Sequence, residues 1–214
     1  RIQEIIVDDQ PVTFLYEATQ LWPGSYPETY AAAVESLNSG GYGLVNPVGH
    51  GFFYNMSVGD RTLELKDAAA LRNDPSYFVL NSLNCSSSAF DYNSILERFL
   101  LNPDGGAVAT VGSARAAFPV LAGQYQKQFY QELMLNGVAS LGAAVAASRA
   151  PFDDNTGTET PERWTHMTYT LLGDPTLLVW TASPVALAVS VADTLPLGAQ
   201  TVAVHVTAKG LPLP

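Results

Sequence analysis

The sequence predicts an α/β fold with a mostly parallel sheet covered on both faces by helices. Two observations carry the prediction. Short apolar, β-branched runs of the kind buried in parallel sheets alternate along the chain with stretches of helical spacing. Nearly half of the 214 residues are apolar and only 14% are charged, which is ample material for one full core. A third observation marks a boundary. After Ser183-Pro184 the helical patterns vanish and two alternating segments follow, Val185–Val191 and Thr201–Thr207, with Pro196 and Gly198 between them. They read as the opening strands of an antiparallel sandwich.

Taken in order, Val12–Tyr16 is the first apolar run, and the turn-rich Trp22-Pro23-Gly24-Ser25-Tyr26-Pro27 follows it. Tyr30, Ala33, Val34 and Leu37 have helical spacing, and Gly40-Gly41 stops that helix. Tyr42–Val48 is a second strand leading into Gly49-His50-Gly51, and a short helix is expected over 66–72. Ser76–Leu83 is a third strand running into Asn84-Cys85. Ser94-Ile95-Leu96-Glu97 fits a capping box, opening a helix that ends near Leu101. The turn Asn102-Pro103-Asp104-Gly105-Gly106 precedes a strand over Ala107–Val111. Helices are expected over 124–135 and 141–149. After a polar loop, a helical segment reaches Leu172, and Leu177–Trp180 is a last strand.

Charge and hydropathy exclude several functions. The net charge of −10, with no Lys/Arg cluster, disfavours a nucleic-acid partner. The alanine-rich Val138–Ala147 is too short to span a membrane, and Arg149 follows it. Arg1-Ile2-Gln3-Glu4 lacks signal-peptide character, so export is not read from the residues themselves. The single cysteine excludes an internal disulfide.

A lone cysteine is more often an inert buried residue than a nucleophile. Cys85 has a specific setting, however. It and His50 each stand at the C-terminal end of an expected strand, the edge of an open α/β sheet where ligands bind. If the two strands are parallel neighbours, they lie about 4.8 Å apart and side chains beyond their ends converge. The 35 residues between them leave room for the crossover. A thiol attacks as thiolate, so it needs a neighbouring base, which His50 supplies before protonating the leaving amine. The helix opening at Ser94 adds its amino-terminal dipole if it points at the sulfur. Gly49 and Gly51 let the main chain approach a substrate, and the amides of Gly51 and Cys85 are the natural oxyanion donors. His166, in a helix, and His205, in the second segment, lack comparable settings.

These residues resemble the gingipain family of cysteine peptidases. The likeness runs from about Val12 to Pro184 and rests on four ordered blocks: Leu44–Gly51, Asn84–Asp91, Leu101–Ala109 and Leu172–Leu177. The resemblance implies a caspase-like three-layer sandwich over residues 1–182, with its upstream part lacking, and the beginning of an immunoglobulin-like domain over 183–214. It implies hydrolysis of peptide bonds in a protein or peptide substrate through a thioester. Cys85 would be the nucleophile, His50 its partner, and the Gly51 and Cys85 amides the oxyanion hole. No cofactor is needed for catalysis, structural calcium is common in the family, and the setting is bacterial and secreted or cell-surface. Val48 and Leu83 flank the dyad as candidate walls of the first specificity pocket, with Phe118 as a third.

The chain departs from the family pattern in three respects. The family histidine is usually oriented by an acidic residue on an earlier strand, and Asp8, Asp9 and Glu17 match none by motif. The missing portion is expected to be a separate upstream chain or domain of the same protein. Ser86-Ser87-Ser88 stands where family members often carry a glycine, and no charge can be assigned to the pocket base. Two other readings compete: a catalytically inactive surface binding or scaffold module of the same fold, and a serine hydrolase. The latter lacks a Gly-x-Ser-x-Gly elbow.

Overall fold

The computed structural model describes Ile5, residues 11–181 and residues 185–212. Asp8, Asp9 and the boundary residues 182–184 named above lie outside the described residues. The chain divides into two units, Arg1–Trp180 and Thr181–Pro214.

The first unit begins with β1 (Leu15–Tyr16) and β2 (Tyr26–Pro27), which pair with each other in parallel. The expected first strand is therefore short and half-buried, and it joins a two-stranded ribbon rather than the main sheet. Its partner is the segment read as a turn. Helix α1 (Tyr30–Asn38) starts where the Thr29 hydroxyl accepts from the Ala32 amide. It ends at Gly40, whose φ of 66° only glycine adopts without cost. Its Tyr30, Ala33, Val34 and Leu37 pack on the core, as their spacing requires.

Next come β3 (Leu44–Val45) and an antiparallel sheet of β4 (Gly51–Phe52), β5 (Asn55–Val58) and β6 (Arg61–Glu64). No strand is expected here from the residues, because Asn55–Val58 and Arg61–Glu64 are short and mix polar with apolar residues, leaving no apolar run to read. Helix α2 (Leu65–Ala70) carries a capping box between Glu64 and Asp67. Strand β7 (Phe78–Asn81) is buried along its whole length, and α3 (Ile95–Leu100) opens on the expected Ser94–Glu97 capping box.

Strand β8 (Ala107–Ser113) is followed by α4 (Pro119–Met134) and α5 (Leu141–Arg149). A 3₁₀ turn over Ala150–Asn155 precedes α6 (Pro161–Thr168) and β9 (Tyr169–Leu172). Two expectations are corrected here. The helix expected to reach Leu172 ends at Thr168, because Tyr169–Leu172 pairs antiparallel with Thr110–Ser113. Leu177–Trp180 is not a strand and makes only an isolated bridge, Ser140 with Leu178.

The main sheet has the order β3-β7-β8-β9, the first two pairings parallel and the last antiparallel. Alternation along the strands sends side chains to opposite faces. Val79, Ala109 and Val111 meet Tyr125, Phe129 and Leu133 of α4 and Leu141, Ala144 and Val145 of α5. Phe78, Leu80 and Ala107 meet Ile95, Leu96 and Phe99 of α3 and Ala68 of α2. Helices thus cover both faces.

Two of the glycine blocks seal this arrangement. A Cβ on Gly106 (φ 87°) would stand 2.1 Å from the Phe99 carbonyl oxygen, and the Gly106 amide donates to the buried Asn73 side chain. Asn102 donates to the carbonyls of Ala68 and Leu71, so the same turn closes the end of α2. Gly173 (φ 134°) lets the chain lie against Ala109.

The second unit holds β10 (Leu187–Val191), β11 (Val204–Ala208) and β12 (Leu211–Pro212) in an antiparallel sheet. The two alternating segments do pair with one another, and Leu187, Val189, Val191 and Val204 are exposed. No helix among the described residues is long and apolar enough to cross a membrane.

Gly106→Ala combines a disfavoured φ with a backbone clash. It should lower the unfolding free energy by at least about 2 kcal/mol, read as a drop in the urea midpoint at unchanged slope.

Candidate active site

The site is set by one pairing. β3 and β7 run parallel with Leu44 opposite Val79 and Val45 opposite Leu80, an offset of 35 residues. The offset persists beyond the strands, where Val48 bridges Leu83, the Leu83 amide donates to the Pro47 carbonyl (2.9 Å) and the Gly49 amide donates to the Leu83 carbonyl (3.2 Å). His50 and Cys85 share that offset, each two residues past the bridge.

The chains stay together at His50-Gly51 and Asn84-Cys85. A Cβ on Gly51 would lie 2.8 Å from the Asn84 Cβ and 3.1 Å from the Cys85 carbonyl oxygen, so only glycine lets the two segments approach this closely. The His50 carbonyl accepts from the Ser57 amide (2.8 Å) and from Asn84 Nδ2 (2.9 Å). The Ser57–His50 bond makes those residues a hydrogen-bonded pair of the β4–β5 ladder. Gly51, next along and opposite Met56, therefore turns its amide away from β5. The Cys85 amide has no hydrogen bond among the described residues.

Cys85 is partly exposed, and its Sγ accepts from the Ala117 amide at 3.4 Å. Ala117 lies just before α4. The amide at the sulfur therefore comes from the loop leading into α4, and not from α3, the helix whose dipole the sequence offered on condition that it points there. The first amides of α3 are already committed, Ile95 donating to the Phe53 carbonyl and Leu96 to that of Ser87.

The turn after the sulfur is tight. Ser86 has φ 53°, the left-handed region where a side chain costs about 1 kcal/mol or more. It is held there by donating its amide to the Arg115 carbonyl (2.8 Å), while the Ser88 amide donates to Ser113 (3.0 Å). The Arg115 guanidinium grips Asp91 through two bonds, at 3.0 and 3.1 Å, and holds that carboxyl below its usual range. Ser86, the first of the serine triplet, thus occupies, under restraint, a conformation that suits glycine.

Of the candidate pocket residues, Leu83 is half-buried and reaches to 3.6 Å of a Cβ built on Gly123, in the first turn of α4. Phe118 is the N-cap of that helix and 43% exposed, and Val48 is 59% exposed. Leu83 therefore meets both the Val48 bridge and the helix that Phe118 opens.

The His50 imidazole is exposed and makes no hydrogen bond or ion pair among the described residues. Glu17 is exposed near Glu28, whose pKa it helps to raise after burial. His166 sits apart on α6, beside Tyr125 (3.4 Å) and Asp153 (3.6 Å), and His205 is exposed on β11. No group of three or more His, Cys, Asp or Glu side chains among the described residues is placed to hold a metal ion, so calcium is given no ligands here.

Sequence reasoning missed Asn84, Ala117 and Arg115, which touch the dyad or its turn only through long-range pairing. It also missed an exposed aromatic cluster at the β4–β5 tip, where Phe53 stacks on Tyr92 (4.8 Å) between Phe52 and Tyr54. The run Phe52-Phe53-Tyr54 was visible directly after His50-Gly51, but its stacking on Tyr92 depended on the unseen hairpin.

The family model of peptidase family C25 matches residues 2–180. Among solved structures, the chain is similar to the Arg-specific cysteine proteinase gingipain R (RgpB), with a TM-score of 0.68 and 20% identity over 86% of this chain and 43% of that one. It is also similar to the complex of Porphyromonas gingivalis RgpB pro- and mature domains, with a TM-score of 0.67 and 20% identity, covering 88% of this chain and 47% of that one. A third, described as a protease, gives a TM-score of 0.66 at 19% identity over 86% of this chain and 45% of that one. The chain thus spans less than half the length of these structures, and at such identity the likeness is one of fold. No curated protein sequence matches the chain.

Gly51→Ala would press a methyl group between Asn84 and the Cys85 carbonyl. It should cost about 1–3 kcal/mol of stability and change the rate at which Cys85 is alkylated, checked by thermal melting and by iodoacetamide labelling of the same samples.

Proposed function

The chain belongs to peptidase family C25, and from that premise we propose that it is the catalytic portion of a cysteine endopeptidase working through Cys85 and His50. One observation supports the reading: the 35-residue offset of two adjacent parallel strands, continued by the Val48–Leu83 bridge, is also the offset between His50 and Cys85 just beyond them. Val48, Leu83 and Phe118 are read as walls of the first specificity pocket. Nothing in that set favours a charged substrate residue.

In the proposed reaction His50 takes the thiol proton and the Cys85 sulfur attacks the scissile carbonyl carbon. The carbonyl π pair moves onto oxygen, where the Gly51 and Cys85 amides receive it. That both amides are free of other commitments, the first by ladder alternation and the second by lacking a partner, supports this role. Collapse of the intermediate breaks the C–N bond, and His50 returns the proton to the leaving amine. Water, deprotonated by His50, then attacks the thioester, releasing the acid and restoring the thiol.

Helix layers on both faces of a four-stranded sheet support a caspase-like sandwich. The antiparallel strands of 187–212, with their apolar side chains exposed, support the start of an immunoglobulin-like domain. We read residues 1–182 and 183–214 as those two domains, and the protein as a secreted or cell-surface bacterial enzyme. RgpB is described in complex with its pro-domain, and an upstream chain or domain of the same protein is a natural partner here. The unpartnered His50 imidazole favours a second reading, a binding module of the same fold without activity.

Peptide hydrolysis separates the readings. Cys85→Ala and His50→Ala should each lower kcat/KM by about 10³-fold or more in the full-length protein, with melting temperatures near that of the parent. If the parent protein labels no faster at Cys85 than its His50→Ala variant and cleaves no peptide, it is the binding module. Retained hydrolysis in Cys85→Ala would point instead to a serine nucleophile.

A further inference from the structure

Between the end of β7 and the sulfur stands Asn84, a buried side chain with every bond directed at the site. Its Nδ2 donates to the His50 carbonyl at 2.9 Å, and its Oδ1 accepts from the Ser82 hydroxyl at 2.8 Å. Its own carbonyl accepts from the Ser87 hydroxyl at 3.2 Å, and Ser82 and Ser87 oxygens are themselves 3.2 Å apart. All three residues are buried, with 1% or less of their surface exposed. The His50 carbonyl, which can only accept, fixes which way the amide faces: it takes Nδ2, leaving Oδ1 to accept from the Ser82 hydroxyl.

The consequence falls on the histidine. Its carbonyl is strapped between Ser57 of β5 and the residue next to the nucleophile. Its imidazole, by contrast, has no partner among the described residues. The backbone is therefore where this chain controls the ring, and among the described residues Asn84 is the one side chain bonded to it. Asn84 also packs against both flanking glycines, its Cβ 2.8 Å from a Cβ built on Gly51 and its Nδ2 3.5 Å from one built on Gly49.

We propose that Asn84 is a positioning residue that acts through His50, holding the histidine's main chain in register with Cys85 so that the imidazole meets the sulfur. The role demands one donor and one acceptor in a side chain of this size. Aspartate supplies only the acceptor, and alanine neither. The proposal rests on the His50–Cys85 reading, and the two can fail separately.

A double-mutant cycle tests it, with iodoacetamide alkylation of Cys85 followed by peptide mass in the full-length protein at neutral pH. His50→Ala should slow alkylation about tenfold, since a thiol without a base is only a few per cent ionised there. Asn84→Ala and Asn84→Asp should each slow it by a similar factor with His50 present, and by less than about twofold in the His50→Ala background. A slowing of equal size in both backgrounds would mean that Asn84 merely shapes the cysteine turn, and overturns the proposal. Alkylation at the parent rate in Asn84→Asp would do so too, by making the amide donor dispensable. If His50→Ala itself alkylates at the parent rate, the dyad reading fails first, and the cycle shows it. Should the Asn84 variants melt before the assay temperature, Ser82→Ala enters the same cycle. It leaves Oδ1 without its donor and loosens the side chain, with an expected slowing of about threefold that disappears without His50; no slowing overturns the proposal.

Discussion

Everything at this site depends on the parallel pairing of β3 with β7 and on its offset of 35 residues. A slip of one residue would turn every side chain of β7 to the opposite face, and β7 is buried on both faces. Phe78 and Leu80 pack with α3, and Val79 packs with α4 and α5. The cores on either side of the sheet therefore fix the register, and the register sets which two backbone segments, His50-Gly51 and Asn84-Cys85, meet beyond its rim. The site is read out of the packing.

What happens past the strand ends is a matter of small groups in close quarters. Regular hydrogen bonding between the two chains stops near Val48 and Leu83. Beyond it, glycine at 51 admits the Cys85 backbone, and buried hydroxyls and amides from Ser82, Asn84 and Ser87 take over the ladder's work. A buried polar network of this kind is worth having only when each member is satisfied, and here each of the three is. On the other side of the sulfur, Arg115 closes the turn twice, through its carbonyl to Ser86 and its guanidinium to Asp91. That second clasp is exposed and weak by itself. The backbone bonds carry the left-handed Ser86.

Much of this was legible in the residues. Helical spacing found α1, α3 and α5 within a residue or two, and the first two also carry a side-chain cap at Thr29 and Ser94. Both strand ends of the site were legible as well, since β3 and β7 are short apolar runs followed by glycine or asparagine. The failures share a cause. β5 and β6 mix polar with apolar residues, unlike the apolar runs of β3 and β7, and with β4 they carry the aromatic tip that borders His50. Tyr169–Leu172 continues the apolar pattern of α6, and only its antiparallel pairing with β8 distinguishes it from helix. The amide facing the sulfur belongs to Ala117, 32 residues from Cys85, and no local pattern marks such a contact.

The four sequence blocks that carry the family likeness divide by physical role. The Leu101–Ala109 block is structural, since Gly106 exists to pass the Phe99 carbonyl and Asn102 to close α2. The Leu172–Leu177 block docks the chain on α5, with the Gly142 amide donating to the Pro175 carbonyl at 2.8 Å and Asp174 accepting from the Thr176 amide. The two remaining blocks are the two sides of one contact, His50-Gly51 against Asn84-Cys85. A structural block fails by unfolding the chain, whereas a change at Asn84 can leave the fold standing and move only the histidine. The contrast explains why a glycine motif may be read as fold from its φ alone, while an asparagine beside a sulfur must be read from where its amide points.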